Sequence, residues 1–538
     1  MTPTARISTR RDPVLWTLLG TCALLALAYN FAIALGYAPD EPRHMNYVRL
    51  LWDEHTLPFL LPDGSEYHGA HSLHPPLYYA FLSPLFALSR ALLGENGWHV
   101  VRLLSAALCL LSLWLLFGVA RTQGNRWLAL LATAQVGLLP IWGMTAGAIN
   151  NDGASLLAQS ALLWLLAVRF PRDRSVRSAL LLGLALGLGA LCKATNIVCG
   201  GVAFGLYLVL QAGGIRAALR STQTWKRLGV ATCMALLVCG AWYARSIHLY
   251  GQLTPIESGY THPALGAAPR FGVLTILMHP AFLPLLGTAL WGIFYSLWAQ
   301  KDWIPEILRL PIYATLALYC VAGGLGNLRR TSRFHAPDET EHEAGDANRT
   351  PVRLAPDVNR ERLANSAPGA NQTPCANQPS QANQTPNTNQ ITGAHSALDA
   401  HRTSQANAAL NVNQGSEVTV APSTNQTTQV NQRPDSNSHA DDELAGRVAL
   451  WCGLGAFIVN VAACAAIAVF KHWGWAEGGR YLLPSLGGAS LWAACGWRGL
   501  VGEKRLPIVF WIWCALILAL NVVALYWLIA FLNPTYVK

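Results

Sequence analysis

Apolar runs of about twenty residues recur along the chain, separated by short polar stretches. A helix needs roughly 20 consecutive apolar residues to cross a bilayer core. The runs therefore predict an all-α integral membrane protein of about eleven transmembrane helices, with ten to thirteen compatible with the pattern. They fall at 14–36, 99–120, 127–147, 153–169, 178–194, 196–213, 228–247, 308–327, 447–470, 482–498 and 507–531. Two more apolar segments, 76–93 and 279–299, read as interfacial or re-entrant helices on the outer side.

The pattern stops between Thr331 and Leu444. Asn, Gln, Thr, Ser, Ala and Pro take over there, with Asn-Gln pairs from Asn371 to Asn431 and almost no aromatics. Such a tract cannot bury enough apolar surface to offset its ordering entropy. It predicts a disordered cytoplasmic insert at 331–445. The insert divides an N-terminal membrane module, 1–330, with its extracytoplasmic loop 37–98, from C-terminal helices at 446–538.

Composition agrees with the hydropathy. The chain is 52% hydrophobic and 12% charged, about half the charged fraction of soluble domains. Charge then sets orientation. Arg6, Arg10 and Arg11 precede the first span; Arg121 and Arg126, Arg169 to Arg177, Arg216 to Arg227, Arg329 to Arg333 and Arg498 to Arg505 lie in alternate loops. Threading eleven spans puts all of them on one side, the positive-inside pattern. The N-terminus is then cytoplasmic, and the net charge of +10 reflects sidedness, not a nucleic-acid partner. The twelve Cys include no CxxC pair, which excludes a disulfide or zinc-finger framework. The first span is long and lacks a small-residue cleavage site before Asp40, so it reads as a retained anchor. Gly-rich phosphate loops, GxSxG and HExxH are absent.

The chemistry concentrates after the first span. Pro39-Asp40-Glu41-Pro42-Arg43-His44 is followed by Asp53, Glu54, His55, Asp63, Glu66, His68, His71 and His74. Carboxylates at a membrane helix mouth are costly unless they face water or a partner. Asp40 and Glu41 are either reactive groups or caps of the helix beginning at Pro42. His44, one turn on, suits a carboxylate or a metal. His68, His71 and His74 share one helix face by spacing, yet the Gly and Pro around them favour an irregular loop; they could hold zinc or line an acceptor cleft. His74-Pro75-Pro76 leads into Tyr78 and Tyr79, an interfacial anchor or a substrate contact. Asn150, Asn151 and Asp152 form a turn on the same outer side.

These strings occur in order: PDEPRH, LHPPLYYAF (from Leu73), VRLLSAALCLLSLWLL (from Val101), GAINNDGASLL (from Gly147), GLGALCKATN (from Gly187), AWYARSIHLYG (from Ala241) and EGGRYLLPSL (from Glu477). In this order the chain resembles the GT-C superfamily of polyprenyl-phosphate-sugar-dependent glycosyltransferases, on the branch of bacterial protein mannosyltransferases and the lipid A aminoarabinose transferase. The insert is the departure from that pattern. The resemblance implies an enzyme of a bacterial inner membrane that moves a sugar from a polyprenyl-phosphate carrier to an extracytoplasmic lipid, glycan or protein by inverting displacement, within the membrane lipid. Asp40 is implied as general base, with Glu41 orienting it, binding the acceptor or helping to hold a metal; a divalent metal serves some relatives and not others. Asn150, Asn151 and Asp152 would bind sugar hydroxyls or support Asp40. A leaving lipid phosphate needs cations, and Lys193, Arg245 and Arg480, with Tyr481 beside it, are the candidates. Lys193 could instead snorkel, and Arg480 could instead pair with Glu477. A lipid or solute transporter is the rival class, though it would want charges at mid-membrane and repeat symmetry. An O-antigen ligase or polymerase is a second rival, with different motifs.

Overall fold

The computed structural model describes residues 12–61, 65–251, 253, 324–327, 436–471 and 479–532. Residues 1–337 and 432–538 form one compact unit; the other, 338–431, lies outside the described residues, as does the expected segment 279–299 and all but the end of the span expected at 308–327.

Every regular element among the described residues is helical. In chain order they are α1 (Pro13–Ala32), α2 (Glu41–Asp53), α3 (Leu77–Leu93), α4 (Gly97–Arg121), α5 (Arg126–Gly137), α6 (Pro140–Ala146), α7 (Asp152–Trp164), α8 (Val176–Cys192), α9 (Thr195–Ala212), α10 (Ile215–Arg220), α11 (Thr222–Tyr250), α12 (Ser436–Lys471), α13 (Gly479–Leu482), α14 (Leu486–Val501) and α15 (Leu506–Trp527). Among the described residues six helical runs are long and apolar enough to cross a membrane, with α5 and α6 a candidate seventh as a bent pair. The chain is a multi-pass membrane protein.

Two expectations change, at 127–147 and at the start of the C-terminal helices, and the segment 76–93 takes definite form. The span placed at 127–147 is broken, with α5 and α6 at 66°. Pro140 opens α6 and Leu139 before it is extended, because a residue preceding proline is pushed out of the helical region. The segment 76–93 is helix α3, and it folds back on α4: Gly94 has φ +59, Phe86 stacks on Trp98 at 4.2 Å, and the Tyr78 hydroxyl sits 2.7 Å from that of Ser105. A Cβ on Gly97 would lie 2.6 Å from the Ser89 backbone, so only glycine fits that corner. Finally, α12 starts at Ser436, inside the tract read as insert. Ala445 and Gly446 are buried, and Gln123 donates to the Gly446 carbonyl at 2.7 Å. These contacts continue the helix beyond the apolar run.

Close helix approaches use glycine. Gly453 of α12 meets Gly488 of α14, where a Cβ on Gly488 would stand 2.1 Å from the Gly453 carbonyl oxygen. Small residues let membrane helices pack backbone to backbone. At one end of the bundle Asp12 caps α1 and accepts two hydrogen bonds from Arg126, at 2.6 and 2.7 Å. At the other end α1 delivers the Asp40 loop.

Candidate active site

A helix leaves its last carbonyls without intrahelical partners. For α1 one side chain supplies them. Arg102, wholly buried on α4, donates from Nη1 to the carbonyls of Asn30 and Ile33, at 2.6 and 2.7 Å, and from Nη2 to Ala34 at 3.1 Å. Its guanidinium also forks onto Glu41, Nε to Oε1 at 2.7 Å and Nη2 to Oε2 at 2.5 Å. Glu41 accepts further bonds from the backbone N–H groups of Gly36 (3.0 Å) and Ile149 (2.9 Å). Its carboxylate is 0% exposed and fully engaged. These bonds run to Arg102 and to the backbone before Asp40 and at Ile149, so Glu41 anchors the loop that carries Asp40.

Asp40 precedes α2 in the left-handed region, at φ 59 and ψ 4, and its side chain makes no capping bond. The capping alternative is not realised: the carbonyl, not the carboxylate, starts the helix, accepting from His44 N–H at 3.1 Å. The carboxylate is 30% exposed and 4.0 Å from Arg43. A non-glycine residue in this region carries a small conformational cost of the kind that gathers at functional sites.

Arg43 turns its fork to Glu66, with both bonds at 2.6 Å. Burial pushes the Glu66 carboxyl up, against the pull of Arg43 and the Ser72 N–H. Glu66 also faces the Nδ1 of His71 at 3.6 Å. His44, His71 and His74 converge, one ring nitrogen from each lying within 4.8 Å of the others. The Tyr79 hydroxyl touches Nδ1 of His44 at 2.7 Å and Nδ1 of His74 at 3.0 Å. His68 stands apart, exposed in a turn at φ 51 and 3.4 Å from Glu54. The cluster is therefore 44/71/74 rather than the evenly spaced 68/71/74, because the loop is irregular and α2 brings in His44. Three imidazoles backed by a carboxylate and a phenol are a donor set suited to zinc or a similar cation. Burial, His71 and Lys193 hold His74 well below the usual imidazole range, opposed by Asp40. His74 is thus within electrostatic reach of both Lys193 and Asp40.

Asn150, Asn151 and Asp152 are buried, and their side chains work inside the protein. Asn150 donates to the Thr145 carbonyl at 3.2 Å and accepts from the Asp152 N–H at 3.0 Å, and Asn151 donates to the Cys192 carbonyl at 3.0 Å. Asp152 pairs with Lys193, whose ammonium lies 4.8 Å above the Tyr481 ring. The turn thus fits holding Lys193 better than binding sugar hydroxyls, and Lys193 is buried and paired, not snorkelling. Tyr78 accepts from the Asn150 N–H at 3.1 Å and so braces the same turn. Arg245 on α11 donates to the Pro58 carbonyl at 2.9 Å and lies 5.2 Å over Trp242. Its Nη1 is buried without a hydrogen-bond partner among the described residues. Arg480 belongs to α13; its side chain and Glu477 lie outside the described residues.

The sequence assigns no role of their own to Arg102 and Arg43, counts Glu66 as one acid in the loop cluster, and reads Tyr79 as an interfacial anchor or substrate contact, not as the partner of two imidazoles. Arg102 alone left a signal, a single arginine just inside an apolar span.

Residues 73–243 match the family described as dolichyl-phosphate-mannose-protein mannosyltransferase. No curated protein matches the chain. Among solved structures, ArnT from Cupriavidus metallidurans in the apo state is 20% identical over 56% of this chain and 53% of that one, with a TM-score of 0.34. The same protein bound to undecaprenyl phosphate is 18% identical over 56% of this chain and 55% of that one, with a TM-score of 0.35. The chain thus spans little more than half the length of either.

Proposed function

We propose that this chain, whose residues 73–243 match the dolichyl-phosphate-mannose-protein mannosyltransferase family, is a GT-C membrane glycosyltransferase that moves a sugar from a polyprenyl-phosphate carrier to an acceptor hydroxyl at the membrane face where Asp40 lies, outside the cytoplasm of a bacterial cell. The observation that carries the reading is the state of Asp40. It is a partly exposed carboxylate, uncapped at the mouth of a span, beside a Glu41–Arg102 pair that fixes the backbone on either side of it.

Asp40 takes the acceptor proton as the acceptor oxygen attacks the anomeric carbon. The bond from that carbon to the carrier phosphate breaks, its electrons pass to the phosphate oxygen, and the anomeric configuration inverts. Arg245, with Nη1 unpartnered among the described residues, is best suited to receive the phosphate charge, with Arg480 and the Lys193–Tyr481 pair as further candidates. A divalent cation held by His44, His71 and His74 would add positive charge beside the same site. Membranes containing the protein should transfer sugar from a labelled polyprenyl-phosphate donor, and Arg245→Gln should weaken donor use. A donor panel giving no transfer, together with solute flux in proteoliposomes, would overturn the reading.

A further inference from the structure

At the bundle end away from Asp40, Arg172 and Arg174 of the loop before α8, Gln211 of α9, and Glu443, Leu444 and Arg447 of α12 line a cavity of about 440 Å³. Three guanidinium groups face one carboxylate. The wall is fixed, since Arg174 donates to the Gln211 carbonyl and Gln223 donates to the Arg174 carbonyl at 2.8 Å.

Behind Gln211 lies a fourth cation. Arg227 is 2% exposed and donates to the Gln211 side-chain oxygen, the Tyr207 hydroxyl and the Asp173 backbone carbonyl. It makes no ion pair among the described residues, and its Nε has no hydrogen-bond partner there. The Asp173 carboxylate is within electrostatic reach but accepts from the Ser175 N–H at 2.7 Å. A buried charge without a close counterion is costly, and an anion in front of Gln211 offsets that cost.

The depth of the cavity is marked by α10 and the start of α11. Ile215, Leu219 and Trp225 are exposed and alternate with Arg216, Arg220 and Lys226. Short basic stretches with exposed apolar and Trp side chains lie at the headgroup plane. The Gln223–Arg174 bond ties this stretch to the cavity wall.

We propose that this cavity binds the phosphate-bearing headgroup of an anionic phospholipid. The three arginines take the phosphate, Glu443 accepts from a headgroup hydroxyl, and Leu444 meets the apolar root of the lipid. Basic pockets between spanning helices hold such headgroups. This reading is independent of sugar transfer.

The test is native mass spectrometry of the purified full chain in detergent, titrated with phosphatidylglycerol, phosphatidylcholine or inorganic phosphate. Phosphatidylglycerol should bind preferentially. Arg172→Gln with Arg447→Gln, both exposed positions, should weaken it about 30-fold, taking about 1 kcal/mol for each arginine, with an unchanged melting temperature in detergent alone. Arg216→Gln with Arg220→Gln should leave the site intact. Equal binding of the two lipids, equal loss in the two double variants, or competition by inorganic phosphate as strong as by the lipid would each overturn the assignment.

Discussion

Arg102 and Glu41 lie against each other with neither side chain reaching solvent, and the same guanidinium holds the carbonyls that end α1. Breaking such a pair leaves a buried charge uncompensated, at about 3–5 kcal/mol. Glu41→Gln and Arg102→Gln should each sharply lower the melting temperature and the folded yield. Replacing both by leucine should cost less than the sum of the single changes. A double variant showing simple additivity, measured by thermal unfolding, would mean that the two do not act as a unit.

Asp40 should separate from that behaviour. Asp40→Asn is expected to lose about 10²–10⁴-fold in turnover with little change in folded protein. Asp40→Gly should be at least as stable as wild type, because glycine enters the left-handed region freely, and still be inactive. Loss of folded protein in the glycine variant would return Asp40 to a structural role.

The histidine cluster predicts a bound divalent ion. Purified protein equilibrated with Zn²⁺ and desalted should retain metal by elemental analysis, and Co²⁺ should give the visible spectrum of a low-coordinate nitrogen site. His71→Asn should abolish both signals and His68→Asn neither. Equal retention in the two variants would remove the trio as ligands.

Gly488→Ala should destabilise the protein by about 1–3 kcal/mol or more through overpacking, since the new Cβ meets the Gly453 carbonyl. Gly20→Ala on α1, with nothing within 4 Å of its Cβ position, should be neutral or slightly stabilising. Paired melting curves decide it.

Excising residues 340–432 behind a short linker should leave a folded, active protein, as loop closure entropy varies slowly with length. Extending the cut through Gly446 should not, because it removes the carbonyl that receives Gln123. An impermeant thiol reagent should reach Cys375 only in opened cells; labelling in sealed cells would reverse the orientation.

Hydropathy made the spanning helices and the Asp40 mouth legible, because both are one-dimensional signals. The partners were not. Arg102 meets Glu41 across 61 positions of sequence, and nothing local to either names the other. Even spacing suggested His68 where packing selected His44, because periodicity describes a helix and this loop is not one. Asn150 to Asp152 looked like a turn open to substrate; only burial shows their side chains facing inward. The break at Pro140 was visible as a proline but masked by an unbroken apolar run.

Tyr79 offers one hydroxyl proton to two imidazoles, the Nδ1 atoms of His44 and His74. It cannot give that proton to both, so at least one ring must donate to the phenol. Where the phenol donates to the other, the two rings are opposite tautomers, one carrying hydrogen on Nδ1 and one on Nε2. An ion taken by both rings through Nε2 requires hydrogen on both Nδ1 atoms and makes the phenol a double acceptor. Metal loading at these two rings is then a relocation of hydrogen with no proton released, and nitrogen NMR of the labelled histidines would see two unlike rings become alike.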